Sequence, residues 1–233
     1  MTKTSGFIAR IKICNVSRIA VIDYQTGNLH SVAKALEFVG GEVVVTSEVK
    51  ELEAADKIVL PGVGAFGEGM EKLKQLGLIA VLNREVREKK KPFLGICLGM
   101  QLTATVGEEH GKHQGLGWID ARVVRFDFEN LDSPIESGND TNRTLKVPHM
   151  GWDDVRLVGQ SPIFAGLESS ATFYFVHSYH VVPKNKDLIT GICDYGGEFA
   201  AAISFENIYL TQFHPEKSQK KGLKILENFV NLC

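Results

Sequence analysis

The first candidate for chemistry is Cys97, in the stretch GICLG, where glycines stand two residues before and two residues after the thiol. An apolar run precedes the cysteine and a helix-like run follows it, which predicts a sharp turn from strand to helix. Larger side chains at the glycine positions would collide with such a turn. A helix starting there directs its free N–H groups toward the sulfur and favours the reactive thiolate. The pattern indicates a nucleophile, although a lone cysteine in an apolar run is also a common core residue.

A base for this nucleophile is present in the stretch FHPEKS, where His214 lies 117 residues after Cys97. His214 and Glu216 lie two residues apart on an extended segment, so their side chains leave the same face. Pro215 holds His214 away from helical backbone angles. An imidazole in this position can take the thiol proton, and a carboxylate beside it fixes the imidazole tautomer. Together the two stretches indicate cysteine-based nucleophilic catalysis, whereas a His-Pro-Glu triplet alone is typical of a surface turn.

The elements that must position these residues alternate in the first half of the chain. Strands are predicted from RIAVIDY, GEVVVTS, DKIVLPG and PFLGIC, with helical patterns in LHSVAKALEFVG, in residues 71–90 and in LGMQLTATV. Such alternation is typical of βαβ units and a parallel sheet. Ligands of parallel sheets bind beyond the carboxyl ends of the strands. Cys97 and the glycine-rich turn at residues 61–66 are both expected at that edge.

The second half, from about residue 115, is rich in predicted strands and closes with the helix KKGLKILENFVNLC. A polar, turn-rich stretch at residues 127–144 is predicted to be an inserted loop. We expect one α/β domain over residues 18–233, preceded by an N-terminal extension over residues 1–17.

Composition excludes several functional classes. The 26 basic and 28 acidic residues among 233 nearly cancel, which argues against a nucleic-acid or membrane-surface binder. The four cysteines are scattered without a CxxC pair, so neither a disulfide framework nor a zinc site is indicated. No apolar run approaches the length of a membrane span. We therefore expect a cytoplasmic protein with no metal and no cofactor.

Several stretches carry a resemblance to a known family. GICLGMQL and FHPEKS resemble the class I, triad-type glutamine amidotransferases. DYQTGNLHSV, LPGVGAFGEGM, KVPHMGW and YFVHSYH resemble, more narrowly, the glutaminase subunits of imidazole glycerol phosphate synthase. The resemblance runs from about residue 18 to residue 230. It implies a single flavodoxin-like domain with a mostly parallel central sheet, helices on both faces and a β-rich second half.

The resemblance also implies roles for individual residues. Cys97, His214 and Glu216 would form the triad that hydrolyses L-glutamine to glutamate and ammonia through a glutamyl thioester. Backbone N–H groups would bind the oxyanion, and two side chains would hold the glutamine. The oxyanion residues are Val63, Gly64 and Leu98, and the substrate-binding residues are Gln101 and Glu109, with Glu108 adjacent to the latter.

The family also implies a partner, a (β/α)8 barrel cyclase that receives the ammonia in a heterodimer. The complex would make imidazole glycerol phosphate and an aminoimidazole carboxamide ribotide in histidine biosynthesis. His149, Trp152 and Lys217 are expected at or near the interface, although a strand Trp is often a core residue.

Three alternatives stay open at this point. The long loop at residues 127–144 and Asp153 after HMGW leave room for a glutaminase that supplies a synthase of cell-surface sugar amidation. A cysteine hydrolase that is not a glutaminase and a non-catalytic scaffold protein are further alternatives.

Overall fold

The structure, a computed structural model, describes residues 16–25, 29–127 and 145–233. The strands are β1 (Arg18–Ile22), β2 (Glu42–Thr46), β3 (Lys57–Gly62), β4 (Phe93–Cys97), β5 (Ala104–Gly107), β6 (His113–Gln114), β7 (Ile119–Arg125), β8 (His149–Leu157), β9 (Ser170–His177), β10 (Tyr179–Pro183), β11 (Ile189–Asp194), β12 (Glu198–Phe205) and β13 (Ile208–Thr211). The helices are α1 (Leu29–Phe38), α2 (Val49–Ala54), α3 (Phe66–Gln75), α4 (Leu78–Leu82), α5 (Leu98–Gln101) and α6 (Gln219–Leu232).

The described residues form a central sheet of nine strands in the order β2-β1-β3-β4-β13-β12-β11-β8-β9. The strands from β2 to β13 run parallel, and the pairs from β13 to β9 are antiparallel. A second sheet has the order β10-β7-β5-β6. The predicted parallel first half and β-rich second half are both confirmed, and the second half extends the same central sheet.

Helices cover both faces of the parallel strands, as the alternation of side chains along β1 shows. Ile19 and Val21 pack in one buried cluster with side chains of α1 and α6. Ala20 and Ile22 pack in the other cluster, with side chains of α2, α3 and α4. β3 and β4 are buried along their whole length, as parallel strands covered on two sides must be. Within the described residues, no helix has the length and apolar character needed to cross a bilayer.

Two predicted helices differ from the observed ones. The helix predicted from LGMQLTATV is the single turn α5, because the residues from Ala104 onward pair with β7 as β5. The helical stretch predicted over residues 71–90 is interrupted at Gly77, whose φ of 67° lies outside helical space, and it ends in a π-helical segment, Asn83–Glu88. The predicted N-terminal extension and the 127–144 loop lie outside the described residues, apart from residues 16, 17 and 127.

The segment that follows β13 is anchored to β9, the last strand of the sheet order. Phe213 stacks on Phe173 with ring centroids 4.1 Å apart. The backbone N–H of His214 donates to the carbonyl of Tyr174 at 2.9 Å, and Ser218 Oγ accepts the N–H of Tyr174 at 3.0 Å. These contacts fix the segment that carries His214 against β9.

The turn at the end of β4 leaves almost no free space. Cys97 has φ 53° and ψ −107°, a backbone conformation that is strained for any residue with a side chain. A Cβ on Gly99 would lie 1.7 Å from the carbonyl oxygen of Leu60, and one on Gly95 would lie 2.9 Å from the oxygen of Gly99. Both glycines are required because β3, β4 and α5 approach each other through their backbones.

We expect Gly99→Ala to lower the free energy of unfolding by at least about 3 kcal/mol, because its Cβ meets a backbone carbonyl that cannot move aside. Gly117→Ala is the control, since Gly117 has φ 68° and nothing lies within 4 Å of its added Cβ. That variant should lose about 1 kcal/mol, the cost of the left-handed conformation alone. Urea unfolding measures both, and equal losses would contradict the close approach at the turn.

Candidate active site

The carboxyl ends of β3 and β4 bring the predicted nucleophile and the glycine-rich turn together. Gly62 lies directly opposite Cys97 in the parallel register, so Val63 and Gly64 continue one step beyond the thiol. A cleft of about 410 Å³ opens at this edge, a volume suited to a small metabolite. Six residues predicted from the sequence line it: Val63, Gly64, Cys97, Leu98, Gln101 and Glu109.

His214 and Glu216 form a buried pair beside Cys97. Nδ1 of His214 lies 2.9 Å from Oε1 of Glu216, and the two side chains are 4% and 1% exposed. Nε2 of His214 is buried and has no conventional hydrogen-bond partner among the described residues. Burial opposes the charged imidazole, but the Cys97 thiolate and the Glu216 carboxylate outweigh it and raise the pKa of His214 to about 10.

This arrangement can move a proton between sulfur and imidazole. Because Glu216 occupies Nδ1, the tautomer is set so that Nε2 is the nitrogen left to accept a proton. The thiol contacts the carbonyl oxygen of Val176 at 3.9 Å, at the outer limit of a sulfur hydrogen bond. The site therefore has the parts needed for attack by a thiolate on an acyl carbon.

The turn predicted to bind an oxyanion is open to the cleft. Val63 is exposed, and Gly64 has φ 115°, a conformation that side chains rarely adopt. A Cβ on Gly64 would meet nothing within 4 Å. Glycine is therefore required at this position for its backbone angle and not because a side chain would collide with a neighbour. Leu98 is the first residue of α5, where a backbone N–H has no partner within the helix.

The two residues predicted to hold a substrate are both on the cleft wall. Gln101 is 5% exposed, and its Nε2 donates to the carbonyl of Tyr179 at 2.9 Å. Glu109 Oε2 accepts the N–H of Phe66 at 2.7 Å, at the start of α3. Glu108 instead pairs with Arg122 through two bonds of 3.0 Å. Glu109, and not its neighbour, is therefore the carboxylate that faces the cleft.

The three residues predicted at a partner interface separate into two groups. Trp152 is 44% exposed and meets the ring of Tyr174 edge to face, and Lys217 Nζ lies 5.6 Å from the centre of the same ring. His149 is fully buried, with its ring nitrogens 3.1 Å from His177 Nε2 and 2.6 Å from Asp153 Oδ2. His149 therefore faces the interior side of β8, whereas Trp152 lies on its exposed side, and a place for His149 at or near the interface stays a prediction.

Sequence reasoning missed several residues around the thiol. Gln212 is fully buried, and its Nε2 lies 3.6 Å from the sulfur of Cys97. His177 and Tyr179 line the same cleft. The spacing of two between Gln212 and His214 could have signalled that both side chains leave the same side of an extended segment.

Comparison with known proteins agrees with this geometry. The family model of class I glutamine amidotransferases matches residues 20–233. The imidazole glycerol phosphate synthase subunit HisH of Geobacter sulfurreducens is 49% identical over 214 residues, which cover 92% of this chain and 98% of that protein. Subunit HisH 1 of Campylobacter jejuni strain RM1221 is 46% identical over 214 residues, covering 92% of this chain and all of the relative.

Solved structures with lower identity share the fold. A putative GMP synthase protein of Thermoplasma acidophilum superposes with a TM-score of 0.66 at 22% identity, covering 92% of each chain. PurLQS of Thermotoga maritima gives a TM-score of 0.66 at 18% identity and covers 93% of this chain and 98% of its own. These likenesses confirm the expected flavodoxin-like α/β domain. From the family model and the HisH relatives together, the chain belongs to the class I glutamine amidotransferases and, within them, to the family of the HisH subunits.

Proposed function

We propose that this chain is a glutaminase that hydrolyses L-glutamine to glutamate and ammonia through a thioester on Cys97. The observation that carries the proposal is the strained turn that holds Cys97 in the cleft beside the buried His214–Glu216 pair. The same three residues resemble the triad of the family, and the HisH relatives match nearly the whole chain.

The reaction proceeds in two halves with one proton carrier. His214 takes the thiol proton, and the thiolate attacks the carbon of the glutamine side-chain amide. Backbone N–H groups near Val63, Gly64 and Leu98 stabilise the tetrahedral oxyanion. As the C–N bond breaks, His214 gives the proton to the departing ammonia. Water activated by His214 then cleaves the thioester, and glutamate leaves as the thiol is restored.

Glutamine is held by the two polar side chains on the cleft wall. Glu109 supplies a carboxylate for the α-amino group of the substrate, and its bond to the N–H of Phe66 keeps that carboxylate in place. Gln101 lies one helical turn beyond Cys97, so it positions the amide that is attacked.

We further propose that the ammonia passes to a (β/α)8 barrel cyclase in a heterodimer that serves histidine biosynthesis. The HisH relatives carry the name of subunits of imidazole glycerol phosphate synthase, whereas the comparisons offer no support for the alternative of sugar amidation. Exposed Met150 and Trp152 on β8 supply an apolar surface, and Met150 lies opposite Val176 of the cleft wall. The cytoplasmic location stays a prediction of this proposal.

Cys97→Ala is expected to abolish glutamine-dependent product formation and to retain activity with added ammonium salt when the cyclase is present. The thiolate makes ammonia but does not use it, so an external supply bypasses the loss. Cys193→Ala, a buried thiol on β11, is the control. Glutamate release and cyclase product are measured together, and glutamine turnover by Cys97→Ala at the parent rate would reject the nucleophile.

Glu216→Gln and His214→Ala should both lower the glutaminase kcat. We expect the kcat of Glu216→Gln to stay about tenfold to a hundredfold above that of His214→Ala. The carboxylate orients the imidazole and stabilises its charge, whereas the imidazole itself carries the proton. Steady-state glutamate release measures both variants, with circular dichroism as the check on folding. Equal losses would mean that Glu216 does more than orient His214.

The chain alone should be a weak glutaminase that the cyclase loaded with its acceptor accelerates about a hundredfold or more. In the chain alone, the glycine-rich turn at residues 61–64 can rest with an N–H directed away from the oxyanion. A shift of the turn toward the conformation in which this N–H faces the oxyanion is enough to give the acceleration. Trp152→Ala should reduce the acceleration about tenfold and leave basal turnover unchanged.

Phe38→Ala is the matched control for that experiment. Phe38 is 79% exposed at the end of α1. Because α1 ends just before β2 begins, Phe38 lies near the amino ends of the parallel strands, whereas the cleft lies at their carboxyl ends. Full glutaminase rates from the chain alone, or full acceleration of Trp152→Ala, would reject control by the partner and leave the triad untouched.

A further inference from the structure

Gln212 is a buried amide that touches the sulfur of the nucleophile. It follows β13, two residues before His214, and is fully buried. Its Nε2 lies 3.6 Å from Sγ of Cys97, and its Oε1 accepts a hydrogen bond from Nε2 of Gln101 at 3.1 Å. Which end of the amide faces the sulfur decides whether Gln212 favours or opposes a thiolate.

A chain of hydrogen bonds fixes that direction. The chain begins at the carbonyl oxygen of Tyr179, which can only accept. It accepts from Nδ1 of His177 at 2.8 Å and from Nε2 of Gln101 at 2.9 Å. Gln101 must therefore present its NH2 group to this side, and its second N–H goes to Gln212. Only the oxygen of the Gln212 amide can accept this N–H, so the NH2 group of Gln212 faces the sulfur of Cys97.

His177, which donates to the carbonyl of Tyr179 at the start of this hydrogen-bond series, stays in one protonation state. His177 is buried, and burial followed by the neighbouring His149 lowers its pKa well below the usual value. It therefore stays neutral, with the proton on the nitrogen that faces Tyr179, because a carbonyl oxygen needs a donor there. A reversed Gln212 would place its NH2 against the NH2 of Gln101, so that bond would be lost, and its carbonyl oxygen would face the sulfur and oppose a thiolate.

We propose that Gln212 is a catalytic residue that donates an N–H hydrogen bond to the thiolate of Cys97, and that Gln101 is the positioning residue that fixes its direction. When His214 takes the proton from Cys97, the negative sulfur accepts the N–H of Gln212. The bond weakens as sulfur joins the acyl carbon and forms again when the thiolate leaves the thioester. Gln212 neither gains nor loses a proton, and the proton that His214 carried returns to the sulfur.

The burial of the sulfur gives this hydrogen bond its effect. Cys97 is 5% exposed, and the carbonyl of Val176 faces it at 3.9 Å, an acceptor that opposes negative charge on sulfur. A buried anion is stable only when donors surround it. Hydrogen bonds to charged groups are stronger than neutral ones, so the N–H of Gln212 favours the ionised state.

The inference rests on the proposed role of Cys97 as the nucleophile, so its test uses a property of the thiol that requires neither glutamine nor the cyclase. The rate of alkylation of Cys97 by iodoacetamide follows the thiolate population and is measured against pH by mass spectrometry of the Cys97 peptide. The titratable groups around the sulfur are His214 with Glu216, His177, and Glu109 across the cleft. The variants below keep all four.

Gln212→Met keeps the length of the side chain and removes the donor. We expect the midpoint of its alkylation profile to move upward by about one pH unit and its rate at pH 7 to fall about tenfold. Gln212→Leu should shift the profile in the same direction and serves if the methionine variant does not fold. In glutamine turnover, kcat should fall while KM changes little, because Gln101 keeps its bond to the carbonyl of Tyr179 and Glu109 keeps its bond to the N–H of Phe66.

The matched control is Asn228→Leu, which also removes a buried amide. Asn228 on α6 is 2% exposed, and its Nδ2 donates to the carbonyls of Ile163 and Ala165, which do not line the cleft. Its alkylation profile should match that of the parent. A folded Gln212 variant with the parent profile would overturn the proposal, and so would an equal shift in the control. Loss of alkylation at residue 97 in the parent at every pH would instead reject Cys97 as the nucleophile.

Discussion

The structure depends on one constraint, the strained backbone of Cys97 at the end of β4, where φ is positive. A residue with a side chain occupies this conformation only where the surrounding backbone permits no other. Here the carbonyl of Leu60 lies against the α-carbon of Gly99, and the register sets Gly62 opposite the thiol. The strain is thus sustained by two fully buried parallel strands. The cleft, the turn of β3 and the direction of α5 all follow from it.

The parallel half of the fold could be predicted because its signals are local. Strands covered on both faces are continuous apolar runs, and glycine or proline marks their ends. Cys97, His214 and Glu216 could be found for a similar reason, since a thiol between glycines and a histidine two residues from a carboxylate are recognisable in one dimension. The alternating strands of the second half were visible, but their order in the sheet was not.

The features that could not be predicted from the sequence depend on contacts between residues that are far apart in the chain. The residues after α5 have helical character, yet pairing with β7 makes them a strand. His149 has the polarity of a surface residue, but His177 and Asp153 satisfy it in the interior. The direction of the Gln212 amide is set by a carbonyl 33 residues earlier, through a side chain on α5. Such relations between strands carry no local pattern, so the structure alone supplies them.

The position of β13 has a consequence for synthesis of the chain on the ribosome. This strand, residues 208–211, fills the middle of the sheet between β4 and β12, although it is made after the other eight strands of that sheet. Until it emerges, the parallel and antiparallel parts of the nine-stranded sheet lack the strand that joins them, and β4 and β12 each present an open edge. Open edges attract wrong strand pairing. The nascent protein therefore depends on rapid insertion of one late, fully buried strand, and premature termination shortly before it yields two edges that favour aggregation.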